Sequence, residues 1–193
     1  MTQYTPMTIL LISLIGSSAT ADQPITLGEV AFAGNGCPTE KHHPRYTLSR
    51  LNGQSLTIFP TQMALFSQAD KHFVRKKCDI AIPVKVAEGY QVGISYARLQ
   101  PFVALDSHAS AKVSLSHGFA GSDFQQTQAS YAENTHQSIM LNNADTQWAA
   151  CGKDSNIRAK VSTILRSEQA KHAHIGVNWL SLGVVYRRCE LGQ

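Results

Sequence analysis

No stretch of this 193-residue sequence shows a sustained helical repeat of apolar residues, save room for a turn or two over Ser167 to His172. That argues against bundles and doubly wound folds. No nucleophile elbow, phosphate loop, H-E-x-x-H or dinucleotide fingerprint is present, which removes the enzyme classes that announce themselves by spacing. Acidic side chains are sparse: seven Asp and six Glu lie scattered, and none forms an evident acid/base pair. No two cysteines have the C-x-x-C spacing of a zinc knuckle. No internal repeat is evident. Beyond the N-terminal segment no apolar run approaches the length of about 20 residues that spans a bilayer. The net charge of +4 is mild and spread along the chain, so it gives no argument for nucleic acid.

An export signal is what the N-terminus offers. Met7 to Gly16 is a short apolar run, and Ala19-Thr20-Ala21 fits a small-x-small cleavage site. The region before it carries no Lys or Arg, unlike the usual signal, and Met7 is an alternative start. Residues 1–21 are therefore expected to be a signal peptide. Residues 22–193 are expected to form one domain with no membrane span, secreted to an extracellular or periplasmic space. Four cysteines follow: Cys37, Cys78, Cys151 and Cys189. An even number behind an export signal implies two disulfides. Of the three possible pairings, Cys37–Cys78 and Cys151–Cys189 join neighbours in sequence. Each closes a loop of about forty residues, worth about 4 kcal/mol in the chain-entropy model.

Period-two alternation runs through most of the remaining chain. Its strongest instance lies between Lys77 and Arg98. Cys78, Ile80, Ile82, Val84 and Val86 alternate with polar or small residues, and Tyr90, Val92, Ile94 and Tyr96 resume the pattern after Ala87-Glu88-Gly89. The spacing predicts a β-hairpin with Val86 opposite Tyr90 and Ile80 opposite Tyr96. A second hairpin is expected at Asn52-Gly53, and Phe59-Pro60 should end its second strand. Further strands are expected over Leu99 to Leu105, Ala111 to Phe119, Ser138 to Leu141, Ile157 to Leu165 and Val184 to Cys189, with a turn before Gly183. Many short strands at regular spacing predict an all-β fold, a two-sheet antiparallel β-sandwich or a jelly-roll-like arrangement, stabilised by disulfides.

Four sets of side chains are candidates for function. His42-His43 and His172-Ala173-His174 form two imidazole pairs, which together would suit zinc or copper. His117 shares a face with Val113, Leu115 and Phe119 and is expected to be a satisfied core histidine. Arg158, Lys160 and Arg166 share one strand face and, with Arg187 and Arg188, suggest a basic strip for an acidic polysaccharide, lipid head groups or an acidic protein. Trp148 and Trp179 follow strand patterns that would bury them, so core packing is expected over sugar stacking.

Several landmarks together carry a resemblance. They are Gly34-Asn35-Gly36-Cys37-Pro38, Arg75-Lys76-Lys77-Cys78 with Pro83 and Gly89 beyond, Ala111 to Gly121, Trp148 with Cys151-Gly152, and Tyr186-Arg187-Arg188-Cys189. In these the chain resembles the secreted family DUF4360 over nearly its whole mature length. The resemblance implies a secreted, disulfide-stabilised β-protein and transfers no catalytic residue. The leading expectation is an exported, non-enzymatic β-sandwich that binds a protein or glycan at the cell surface or outside the cell, without a cofactor. The alternatives are an exported zinc- or copper-binding protein, or a hydrolase whose site is assembled only in the fold. The sequence sets no oligomeric state.

Overall fold

The alternation becomes two antiparallel sheets in the computed structural model, which describes residues 23–39, 47–52, 55–68, 71–168 and 172–190, with the backbone alone for 48–52. In chain order the strands are β1 (Ile25–Leu27), β2 (Ala31–Ala33), β3 (Leu48–Asn52), β4 (Ser55–Phe59), β5 (Leu65–Phe66), β6 (Phe73–Val86) and β7 (Tyr90–Leu105). They continue as β8 (Ala109–Phe119), β9 (Gln125–Tyr131), β10 (Thr135–Gln137), β11 (Leu141–Asn143), β12 (Gln147–Trp148), β13 (Ser155–Ser167) and β14 (Ala173–Arg188). The first sheet runs β1-β6-β13-β8-β9, with β2 also on β6. The second runs β10-β7-β14-β4-β3, with β11 and β12 also on β7 and β5 on β14. The inner faces meet in one core that includes Ile80, Ile82, Ile94, Leu115, Ile157, Leu165, Ile175 and Leu182. This is an all-β, two-sheet sandwich, as expected. No helix occurs among the described residues, and residues 1–21, expected to be a signal peptide, lie outside them.

The central hairpin is corrected. β6 pairs with β13 along its length, Ile82 opposite Ile157 and Cys78 opposite Val161. β7 pairs with β14 in the other sheet. Residues Ala87 to Gly89 therefore carry the chain from one sheet to the other as an arch, with Gly89 at φ 76° and the Tyr90 N–H donating to the Ala87 carbonyl at 3.2 Å. Alternation reports which side of a strand is buried. It does not report whether the next strand lies beside it or faces it across the core, because both arrangements bury the same residues.

The expected turn before Gly183 is also corrected: β14 is continuous. A bulge at Asn178 moves the inner face from Ile175 and Val177 to Leu180 and Leu182. A matching bulge at Ser95 moves that of β7 from Val92 and Ile94 to Ala97 and Leu99, which turns Tyr96 outward. An extra residue inverts the period-two pattern, and in the sequence this imitates a break. The Asn52-Gly53 hairpin holds, with Asn52 opposite Ser55. The expected strand over Ser138 to Leu141 begins instead at Leu141.

Both disulfides form as favoured, Cys37–Cys78 and Cys151–Cys189. The first is placed by the turn Gly34-Asn35-Gly36. The Asn35 side-chain oxygen accepts from the Lys77 N–H at 2.9 Å, and its nitrogen donates to the Arg75 carbonyl. Gly34 has φ 107°, and a Cβ on Gly36 would collide with Met63, so glycine is required at both places.

Candidate functional site

Among the described residues, two outward sheet faces and a cleft at one end of β8 and β13 carry side chains suited to recognition. On the outer face of the first sheet, β13 is flanked by β6 and β8 in unbroken register. Side chains directly opposite one another share a face, so the outward positions form rows. From one end these rows are Ser110–Arg166–Phe73, Lys112–Ile164–Arg75, Ser114–Ser162–Lys77, Ser116–Lys160–Asp79 and Gly118–Arg158–Ala81. Each of these rows carries at least one cation, and Lys85 adds another beyond them. Asp79 is the single acidic residue in β6, β8, β9 and β13, and it pairs with Lys160 at 3.5 Å. The Arg75 Nε donates to the Ser162 Oγ at 3.2 Å. Arg158, Lys160 and Arg166 are all exposed. Arg187 and Arg188 do not join them, because β14 belongs to the other sheet.

The outer face of the second sheet is aromatic. Phe102 stands directly opposite Gly176, Tyr96 opposite Gly183, and Trp148 opposite Gly93. In each pair the ring fills the place a Cβ would take; a Cβ on Gly93 would lie 2.7 Å from the Trp148 ring. The glycines let three half-buried rings lie against the sheet and cover backbone that has no side chain of its own. The Arg98 guanidinium stacks 4.5 Å from the Tyr96 ring centre and that of Arg187 stacks 4.2 Å from Trp148. Arg98 Nε also donates to the Asn142 side-chain oxygen at 3.3 Å. With its amide turned to satisfy both ends, buried Gln91 accepts from Arg187 and donates to the Ala149 carbonyl at 3.1 Å. Trp179 is likewise half-buried and outward, because the Asn178 bulge gives the core position to Leu180. Both tryptophans therefore depart from the expected core packing. Nothing in the local pattern around Trp148 reveals this, since only the pairing with Gly93 places it outside.

Of the two expected histidine pairs, the structure describes the second alone. His42 and His43 lie outside the described residues. His172 is exposed, and His174 is packed between Phe66 and Phe102, with ring centres at 5.9 and 5.8 Å. Among the described residues no three His, Cys, Asp or Glu side chains come together as a metal site. A cleft of about 370 Å³ is lined by His108, Ser110, Glu133, Arg166, Ser167 and Glu168. Glu133 accepts the main-chain N–H of His108 at 2.9 Å, holding that residue in a left-handed conformation, φ 62°.

His117 is in the core as expected but is not satisfied. It is fully buried on the inner face of β8, opposite Gln125 of β9, and neither ring nitrogen makes a hydrogen bond of good geometry. Burial holds its pKa below the usual histidine value, against a weaker upward pull from Gln125. The unfolded chain therefore takes up a proton at higher pH than the folded one. Stability is undiminished above about pH 6.5 and falls as pH drops from there toward the folded value, at up to about 1.4 kcal/mol per pH unit. His117→Leu is expected to flatten this fall in thermal melts between pH 7.5 and 5. An unchanged slope in the variant would assign the acid sensitivity to other groups.

No curated protein matches the chain. Among solved structures, TmCBM61 in complex with β-1,4-galactotriose matches at 10% identity and TM-score 0.30, over 83% of this chain and 88% of that one. The enzymatically active domain of bacteriophage CBA120 tailspike protein 4 matches at 7% identity and TM-score 0.22, over 86% of this chain and 19% of that one. Both likenesses are too distant to bear on ligand or activity. The family model described as "Domain of unknown function (DUF4360)" matches residues 23–185, and the chain belongs to that family.

Proposed function

We propose that this protein is an exported, non-enzymatic glycan-binding module acting at a cell surface or outside the cell, and that glycan lies on the aromatic outer face of the second sheet. The observation that carries this reading is the set of three rings seated on three glycines of one open face. A sugar ring has an apolar C–H face and a polar rim. Phe102 offers such a face, Tyr96 and Trp148 offer theirs once Arg98 and Arg187 swing off them, and nearby Gln100, Ser181 and Asn142 offer hydrogen bonds to the rim. The test is retention of the secreted protein on immobilised neutral polysaccharides. Trp148→Ala should weaken retention about tenfold, equivalent to about 1.4 kcal/mol, without unfolding the sandwich. Equal retention of variant and wild type would remove this face from consideration.

The cleft favours a second reading, hydrolysis of the bound glycan, since it joins carboxylates to an imidazole. In the binding reading no reducing ends accumulate during incubation. Reducing ends that appear with wild type and vanish with Glu168→Gln would make the protein a hydrolase. The zinc or copper reading would return if saturable metal binding were lost in the double variant His172→Ala, His174→Ala.

A further inference from the structure

We propose that the outer face of the first sheet is a second, separate binding surface, for a linear carboxylate-bearing polysaccharide laid along β13. It stands independently of the aromatic face, which lies on the opposite side of the sandwich.

Successive outward rows on a strand are about 6.6 Å apart, so the five consecutive rows from Arg158 to Arg166 span about 26 Å. Every row presents a cation, drawn in turn from β13, β6 and β8. Within these strands one carboxylate, Asp79, offsets them, and Glu133 and Glu168 stand in the cleft beside Arg166 at one end. Like charges at this density repel one another and oppose folding, and a bound polyanion relieves that repulsion. A regular ladder of positive charge is complementary to a chain whose negative charges repeat along its length. The guanidinium groups of Arg158, Arg166 and Arg75 match carboxylates in fork geometry.

The rest of the face narrows the partner. Between the cations lie Ser110, Ser114, Ser116 and, on β9, Gln126 and Gln128, which exchange hydrogen bonds with hydroxyls. Among the described residues its large apolar side chains are few: Ile164, the exposed Phe73 and, beside Gly118 at the far end, the exposed Phe124. A protein interface is poor in Lys and Ser at its centre and rich in aromatics. A membrane-surface element sinks a broad apolar face into the head-group region. This surface has the opposite composition to both.

The experiment uses the full secreted chain and polygalacturonate, with the neutral polysaccharide pullulan as control. Affinity electrophoresis should show binding to polygalacturonate and none to pullulan through this face. Binding should weaken at least tenfold between about 50 and 200 mM salt, as expected for displacement of several counterions. The variant Arg158→Gln, Lys160→Gln, Arg166→Gln should lose at least tenfold in affinity while melting at or above the wild-type temperature, since repulsion is reduced. Trp148→Ala should bind polygalacturonate like wild type, which keeps failure here distinct from failure of the aromatic site. The proposal is overturned if polygalacturonate is not bound or if the triple variant binds it equally. Tighter binding to phosphatidylglycerol vesicles or to single-stranded DNA than to polygalacturonate would overturn it too.

Discussion

Ile82→Asp should abolish accumulation of folded protein. Ile82 is 1% exposed at the middle of β6, and its cross-strand neighbour on β13 is Ile157. An aspartate there would be an ionised carboxylate with no donor in reach, or a neutral acid far from its usual pKa. Either costs more than about 4 kcal/mol, a large share of the stability of a domain this size. The reference is Lys85→Ser, three residues on and outward-facing, which should stay within about 0.5 kcal/mol of wild type. The yield of folded protein and thermal melts of the two variants decide the matter. Similar behaviour would mean that the faces of β6 are assigned wrongly.

That assignment of faces was available from sequence, and its neighbours were not. Cys78, Ile80, Ile82 and Val84 announce an inward row by alternation alone, and the structure buries all four. Which strand lies beside them depends on β13, about seventy residues later in the chain, and no local rule reaches that far. The same limit governs the basic face. Arg158, Lys160 and Arg166 were legible as a group because they share one strand. Lys112 and Arg75 join them only through cross-strand register, and Arg187 and Arg188 leave for the same reason. The aromatic face depends on pairings with Gly93, Gly176 and Gly183 and on two bulges that invert parity. Unbroken alternation would place Tyr96 and Trp179 in the core, and the bulges turn both outward. Asn178 and Ser95 bear no sequence mark that distinguishes a bulge from a strand end.

The two disulfides should differ in what their removal costs, although their loops are nearly equal. They span 41 and 38 residues, so the chain-entropy model assigns each about 4 kcal/mol. Their surroundings separate them. Cys37 and Cys78 are 1% and 0% exposed and form part of the core, whereas Cys151 is exposed and Cys189 half-exposed at one end of the sandwich. Removing Cys151 and Cys189 as alanines loses the loop constraint and little packing. Removing Cys37 and Cys78 loses the same constraint and leaves a cavity beside Met63 and Val161, for about 1–2 kcal/mol more. The Cys37→Ala, Cys78→Ala variant should therefore show the lower denaturant midpoint. Under mild reductant without denaturant, Cys151–Cys189 should open first, because thiolate attack requires access to sulfur. Mass mapping of alkylated peptides over time gives the order. If Cys37–Cys78 opened first under native conditions, that part of the sandwich would have to unfold locally more easily than its burial implies. Equal midpoints for the two double variants would show that the buried bridge acts on the unfolded chain alone, with no contribution from the core around it.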